Sequence, residues 1–180
     1  VLVGVGGAID WLRAQELATV VEWQPEDAAG DPEIAGGEGQ EEGEAAADEP
    51  AAIDLTRRPL EVPGAIVATR LAPGHPLAAG LAAPPPVLYS GSHPLRATGE
   101  PRVDVLTVAP DDPVLAGFAW PETRPRLAGA LLVAAEPVGR GRLVLFSQDP
   151  AFRGFWRGTF PLFLNAAVYG GSLLAADPGP

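Results

Sequence analysis

The apolar residues fall into short blocks separated by glycine and proline. Leu2-Val3-Gly4-Val5 is the first block; Gly6-Gly7 follows, then Ala8-Ile9-Asp10-Trp11-Leu12. This order predicts the end of a buried strand, a tight turn and a helix running to about residue 21, because glycine accepts positive φ and lets backbones approach closely. Residues 64–71 carry β-branched side chains between Pro63 and Pro73 and predict a strand. Val87-Leu88-Tyr89 behind the Pro84-Pro85-Pro86 run predicts a short one, and residues 102–109 another. Residues 128–135 and 142–146, joined through Pro137-Val138-Gly139-Arg140-Gly141, predict a hairpin with a glycine-containing loop. Residues 158–169 are apolar on most faces and predict a buried helix ended by Gly170-Gly171.

Helices at the two ends with short strands between them give the α/β class with an antiparallel appendage. A parallel sheet that opens on a buried strand predicts neighbouring strands upstream of Val1. Residues 24–50 break the pattern: they hold ten acids, no base and Ile34 as the one large aliphatic side chain. Such a stretch buries too little apolar surface to offset its ordering entropy, which predicts a disordered surface insertion, with an acidic docking segment as the alternative.

Composition narrows the chemistry. At 180 residues and 47% hydrophobic content the chain suits one domain with one core. The formal charge is -11, but outside residues 24–50 there remain 13 of the 23 acids against 12 arginines, so a basic nucleic-acid footprint is missing. No apolar stretch is long enough to cross a bilayer and no signal pattern opens the sequence. The absence of cysteine closes disulfides, thiolate nucleophiles and cysteine metal sites. With no methionine either, the chain reads as a fragment or processed product.

Three stretches together carry a family resemblance: Leu60-Glu61-Val62-Pro63-Gly64-Ala65-Ile66-Val67, Gly74-His75-Pro76-Leu77-Ala78-Ala79-Gly80-Leu81, and residues 139–153 with Leu162-Phe163-Leu164-Asn165-Ala166. They resemble the C-terminal domain of bacterial zinc carboxypeptidases of the M14 family, a domain similar to class I glutamine amidotransferases. The resemblance implies a flavodoxin-like three-layer α/β sandwich, N-terminally incomplete, with an antiparallel hairpin near its C-terminal end. In such amidotransferases the nucleophile sits at a Gly-x-Cys-x-Gly elbow. The match here is Gly4-Val5-Gly6-Gly7-Ala8, which puts Gly6 at the nucleophile position and implies a noncatalytic domain. The resemblance further implies a catalytic domain within the same polypeptide as partner, zinc held there and no cofactor in this chain, and a periplasmic or secreted location. It leaves the oligomeric state open.

Among candidate sites, Asp149, Arg153, Trp156 and Arg157 lie between a predicted strand and a predicted helix, where open α/β sheets place ligands. Two arginines among aromatic residues suit a carboxylate or a sugar. The alternative is an Arg153–Asp149 pair, with Phe152, Phe155 and Trp156 covering the core or facing another domain. His75 and His93 lack metal-ligand spacing and suit turn or surface roles. Ser90 and Ser92 beside His93 raise a serine hydrolase, but they lack the Gly-x-Ser-x-Gly elbow.

Overall fold

The computed structural model describes residues 1–22, 61–91 and 94–173, so the acidic stretch, Ser92 and His93 lie outside the described residues. In chain order the elements are β1 (Leu2–Val5), α1 (Ala8–Ala14), β2 (Val62–Val67), β3 (Thr69–Leu71), a 3-10 turn (Pro76–Ala78), β4 (Val87–Gly91), β5 (Asp104–Val108) and β6 (Val114–Phe118). After these come α2 (Arg124–Leu127), β7 (Leu131–Val138), β8 (Gly141–Phe146) and a second 3-10 turn (Phe152–Gly154). The C-terminal helix is built of α3 (Phe160–Leu164), a π turn (Asn165–Tyr169) and α4 (Gly170–Leu173).

The class is mixed α/β with two sheets, mostly strands and few helices. Five strands form one sheet in the order β1-β8-β7-β5-β3, and three form another in the order β4-β2-β6. The pairing of β1 with β8 is parallel; the other pairings are antiparallel. The β7–β8 hairpin, expected as an appendage, occupies the middle of the large sheet. One face of that sheet carries Leu131, Ala134, Leu143 and Leu145 against Ile9 and Leu12 of α1. Its other face carries Leu106, Val133, Val144 and Phe146 against Val62, Val67 and Tyr89 of the small sheet and Leu162 and Ala166 of the C-terminal helix.

Several sequence expectations are corrected. The first helix stops at Ala14 because Glu16 takes a left-handed φ of 56°. Beyond it the chain crosses the sheet, tied by Thr19, whose amide and hydroxyl donate to the buried Glu136 carboxylate at 2.9 and 2.7 Å. The single strand expected over 64–71 is two, because the chain changes sheets at Ala68: its N–H donates to Pro113 and its carbonyl accepts from Ala109. Strand β6 and helix α2 had no counterpart in the apolar pattern; β6 is an exposed edge whose Gly117, at φ 84°, approaches Gly64 too closely for any Cβ. The hairpin turn is tighter than expected, since Pro137 and Val138 still pair with Arg142 and Gly141. Gly170 and Gly171 do not end the last helix, which runs through the π turn to Leu173. Nor is that helix buried all round, for Phe160, Leu164, Val168 and Tyr169 are exposed.

Candidate functional site

Parallel pairing puts the carboxyl ends of β1 and β8 side by side, and this brings two sequence candidates together. The Gly6 N–H donates to the Phe146 carbonyl at 2.8 Å, so the glycine turn sits beside the loop that begins at Ser147. Gly6 has φ 53°, and its carbonyl accepts from Ile9 N–H at 2.9 Å as the chain enters α1. A sharp strand-to-helix turn with a left-handed residue at its tip is the geometry a nucleophile elbow requires. Gly4 sets how closely the helix packs: a Cβ there would come within 2.7 Å of Leu12 Cδ1 and 3.1 Å of Leu145 Cδ2. At Gly6 a Cβ would meet open space, so a side chain has room at the turn but must adopt the left-handed backbone.

The neighbouring loop is anchored at both ends. Gln148 Oε1 accepts from Ser90 N–H at 3.1 Å, joining the loop to β4 in the other sheet, and the buried Thr159 hydroxyl donates to the Pro150 carbonyl at 2.8 Å. Asp149 and Arg153 do not form the anticipated pair. The Asp149 carboxylate accepts from Ala151 N–H at 2.9 Å, a local turn bond, while the Arg153 guanidinium lies 5.1 Å over the Phe152 ring. Arg153 is held at φ 51°, ψ 21°, which is costly for a side chain of its type, about 1–3 kcal/mol. Phe152 and Phe155 meet edge-on at 6.2 Å, and Phe155 remains 62% exposed. Trp156 is half-buried with its indole N–H enclosed and without a hydrogen-bond acceptor; Arg157 is exposed. Between Phe146, Gln148, Asp149, Pro150 and Thr159 the cleft encloses about 10 Å³, room for about one water. A ligand at this loop would therefore lie on its surface.

His75 belongs to a separate, structural arrangement. It caps the first 3-10 turn, its Nδ1 accepting from Leu77 N–H at 3.2 Å, while Nε2 meets the Arg102 carbonyl at 3.3 Å. Burial pushes its pKa down, helped by the Arg142 charge and opposed by the Arg102 carbonyl. Asn165 Nδ2 then reaches across from the C-terminal helix to the carbonyls of Leu77 and Ala79 at 2.8 and 2.9 Å. Ser90 is exposed on β4, with its N–H on Gln148. Among the described residues no three His, Cys, Asp or Glu side chains come together to hold a metal ion, and no helix is long and apolar enough to cross a membrane.

Sequence reasoning missed several buried polar residues. Tyr89 and Arg126 act on each other electrostatically inside the core. Burial raises the tyrosine pKa and lowers that of the arginine, and each partner opposes the shift of the other. The available signal was positional: Glu136 interrupts the apolar run of β7, and Arg126 stands one residue before the fully buried Leu127. No family model matches the chain, and neither a curated protein nor a solved structure matches it significantly.

Proposed function

We propose that this chain is a noncatalytic accessory domain of the class I glutamine-amidotransferase-like type, serving a zinc carboxypeptidase of the M14 kind as a scaffold or substrate-access module. The observation that carries the reading is the elbow at the end of β1: a left-handed Gly6 hydrogen-bonded to the end of β8, with no side chain to act as nucleophile. The finer architecture in this reading is a flavodoxin-like sandwich whose sheet continues beyond β1 with strands from preceding polypeptide. Supporting it, β1 stands at the margin of the large sheet in parallel pairing, and parallel strands are ordinarily covered on both sides.

Packing on a catalytic domain needs an apolar face. Phe155, Phe160, Leu164 and Val168 run from the 149–159 loop along the outer side of the C-terminal helix, Val168 being 63% exposed, and residues 158–173 include no charge. A helix surface of that composition is ordinarily buried. Zinc in this reading belongs to the catalytic domain, not to residues of this chain. The test compares carboxypeptidase turnover and stability with and without residues 1–180; identical kinetics, stability and localisation would remove its support.

A second reading rests on Arg153, Trp156 and Arg157. A strained arginine presented over an aromatic ring, next to an enclosed indole N–H and an exposed arginine, suits capture of a small anion or a carbohydrate. A thermal-shift screen decides: ligand responses unchanged in Arg153→Ala and Arg157→Ala would sink this alternative.

A further inference from the structure

The turn that His75 caps is the same turn whose carbonyls meet the C-terminal helix. The Leu77 N–H is oriented by His75 Nδ1, and the carbonyls of Leu77 and Ala79 are the two acceptors that hold Asn165. An imidazole that accepts at Nδ1 and meets a carbonyl through Nε2 is the neutral tautomer with its proton on Nε2. Adding a proton at Nδ1 replaces the lone pair with an N–H aimed at the Leu77 N–H, so the cap and the charged ring are incompatible. From this geometry we propose that His75 is an acid-sensitive latch: protonation breaks the cap on the Leu77 N–H and loosens the turn whose Leu77 and Ala79 carbonyls hold Asn165 of the C-terminal helix.

Beside the Arg102 partner stand Glu100, which is exposed, and Asp104, whose carboxylate accepts from Thr98 and the Gly99 N–H. Residues 71–84 include no acid or base besides His75, and the C-terminal helix brings no charged side chain. From β8 the Arg142 guanidinium opposes a second positive charge, and Arg102 contributes its main-chain carbonyl to the ring. Both the desolvation of the ring and Arg142 act to keep it neutral, the Arg102 carbonyl acting the other way. The loosening therefore opposes the native packing and acts at pH values below the ordinary histidine range. The buried Leu77 side chain anchors the same turn in the core, so the loop loosens without leaving its place entirely. The latch is independent of the accessory-domain reading and applies to any role of the chain.

The sign follows from the direction of the shift. With its folded-state pKa below the ordinary value of about 6.5, His75 contributes fully to stability above that value, and the contribution is lost as pH falls from there through the folded pKa. The experiment is a denaturation series from neutral to mildly acid pH on the 180-residue chain, with His75→Asn and His93→Asn. Asparagine accepts the same cap bond without titrating. The expected result is stability that falls with acid in the unaltered chain and in His93→Asn, and stays level in His75→Asn over the same window. A His75→Asn chain with the unaltered acid sensitivity overturns the proposal. An NMR titration serves if His75→Asn fails to fold: the Leu77 amide and the Asn165 side-chain signals should move with the His75 ring and with a common midpoint. Separate midpoints, or a Leu77 amide indifferent to His75 protonation, overturn it equally.

Discussion

Two glycine- and proline-punctuated segments of this molecule are held in opposite ways. Around His75, the ring bonds the Leu77 N–H and the Asn165 amide bonds the Leu77 and Ala79 carbonyls, beside a fully buried Leu77 side chain. Between Asp149 and Thr159 the side-chain ties to the rest of the fold sit at the two ends, and the middle, closed by its own Gly154–Ala151 and Trp156–Phe152 backbone bonds, holds a left-handed arginine, the exposed Phe155 and an indole N–H with no acceptor. Folded chains retain unfavourable backbone and unmet polar groups chiefly where something other than stability selects them. The first segment is tied into the core; the second keeps strain and an unmet donor, which the proposed interface would explain.

Substitutions can sharpen or break this contrast. Leu77→Ala should have the largest effect, about 2–5 kcal/mol of lost stability, since the side chain is fully buried in the larger core cluster. A loss under about 1 kcal/mol in urea denaturation would mean the His75 segment is not anchored as described. Asn165→Ala should cost about 1–3 kcal/mol by leaving the Leu77 and Ala79 carbonyls without their donor, measured the same way. Gly6→Ala should cost about 1–2 kcal/mol through its positive φ alone, because the space beside it is open. Gly6→Cys should fold at similar cost, and the unaltered chain should release no ammonia from glutamine; measurable release by the unaltered chain would overturn the noncatalytic reading. The smallest effect is expected at Arg153→Gly. Relief of the left-handed strain and loss of the ring contact nearly cancel, leaving stability within about 1 kcal/mol. If that variant also keeps every ligand and domain interaction, the contrast between the segments loses its functional meaning.

The candidate site was partly legible in the chain. Leu2 to Leu12 announced a strand, a glycine turn and a helix, and the structure has all three, because an apolar run meeting two glycines leaves the backbone few other solutions; the strand is not the buried one expected, for Leu2 is exposed and Val3 and Val5 are half-buried. The helix end was not legible: residues 17–21 look as helical as those before them, and the left-handed Glu16 and the distant Glu136 decide otherwise. Strand β6 was hidden because Val114-Leu115-Ala116-Gly117-Phe118 is a mostly exposed edge, with no alternation to betray it. The Asp149–Arg153 pairing looked natural from spacing alone, but a short carboxylate beside a turn found the nearer Ala151 N–H.

What the sequence determined by itself is therefore local: where apolar blocks begin and stop, which glycines and prolines punctuate them, and that no cysteine is present for thiol chemistry. Tertiary structure decided which blocks became neighbours. Strand β1 beside β8, Asn165 on the Leu77 carbonyl and Glu136 beneath Thr19 join residues 88 to 141 positions apart. Periodicity reads the face a residue turns to its surroundings, whereas pairing across such distances is settled by the packing of the whole core, which no local pattern encodes.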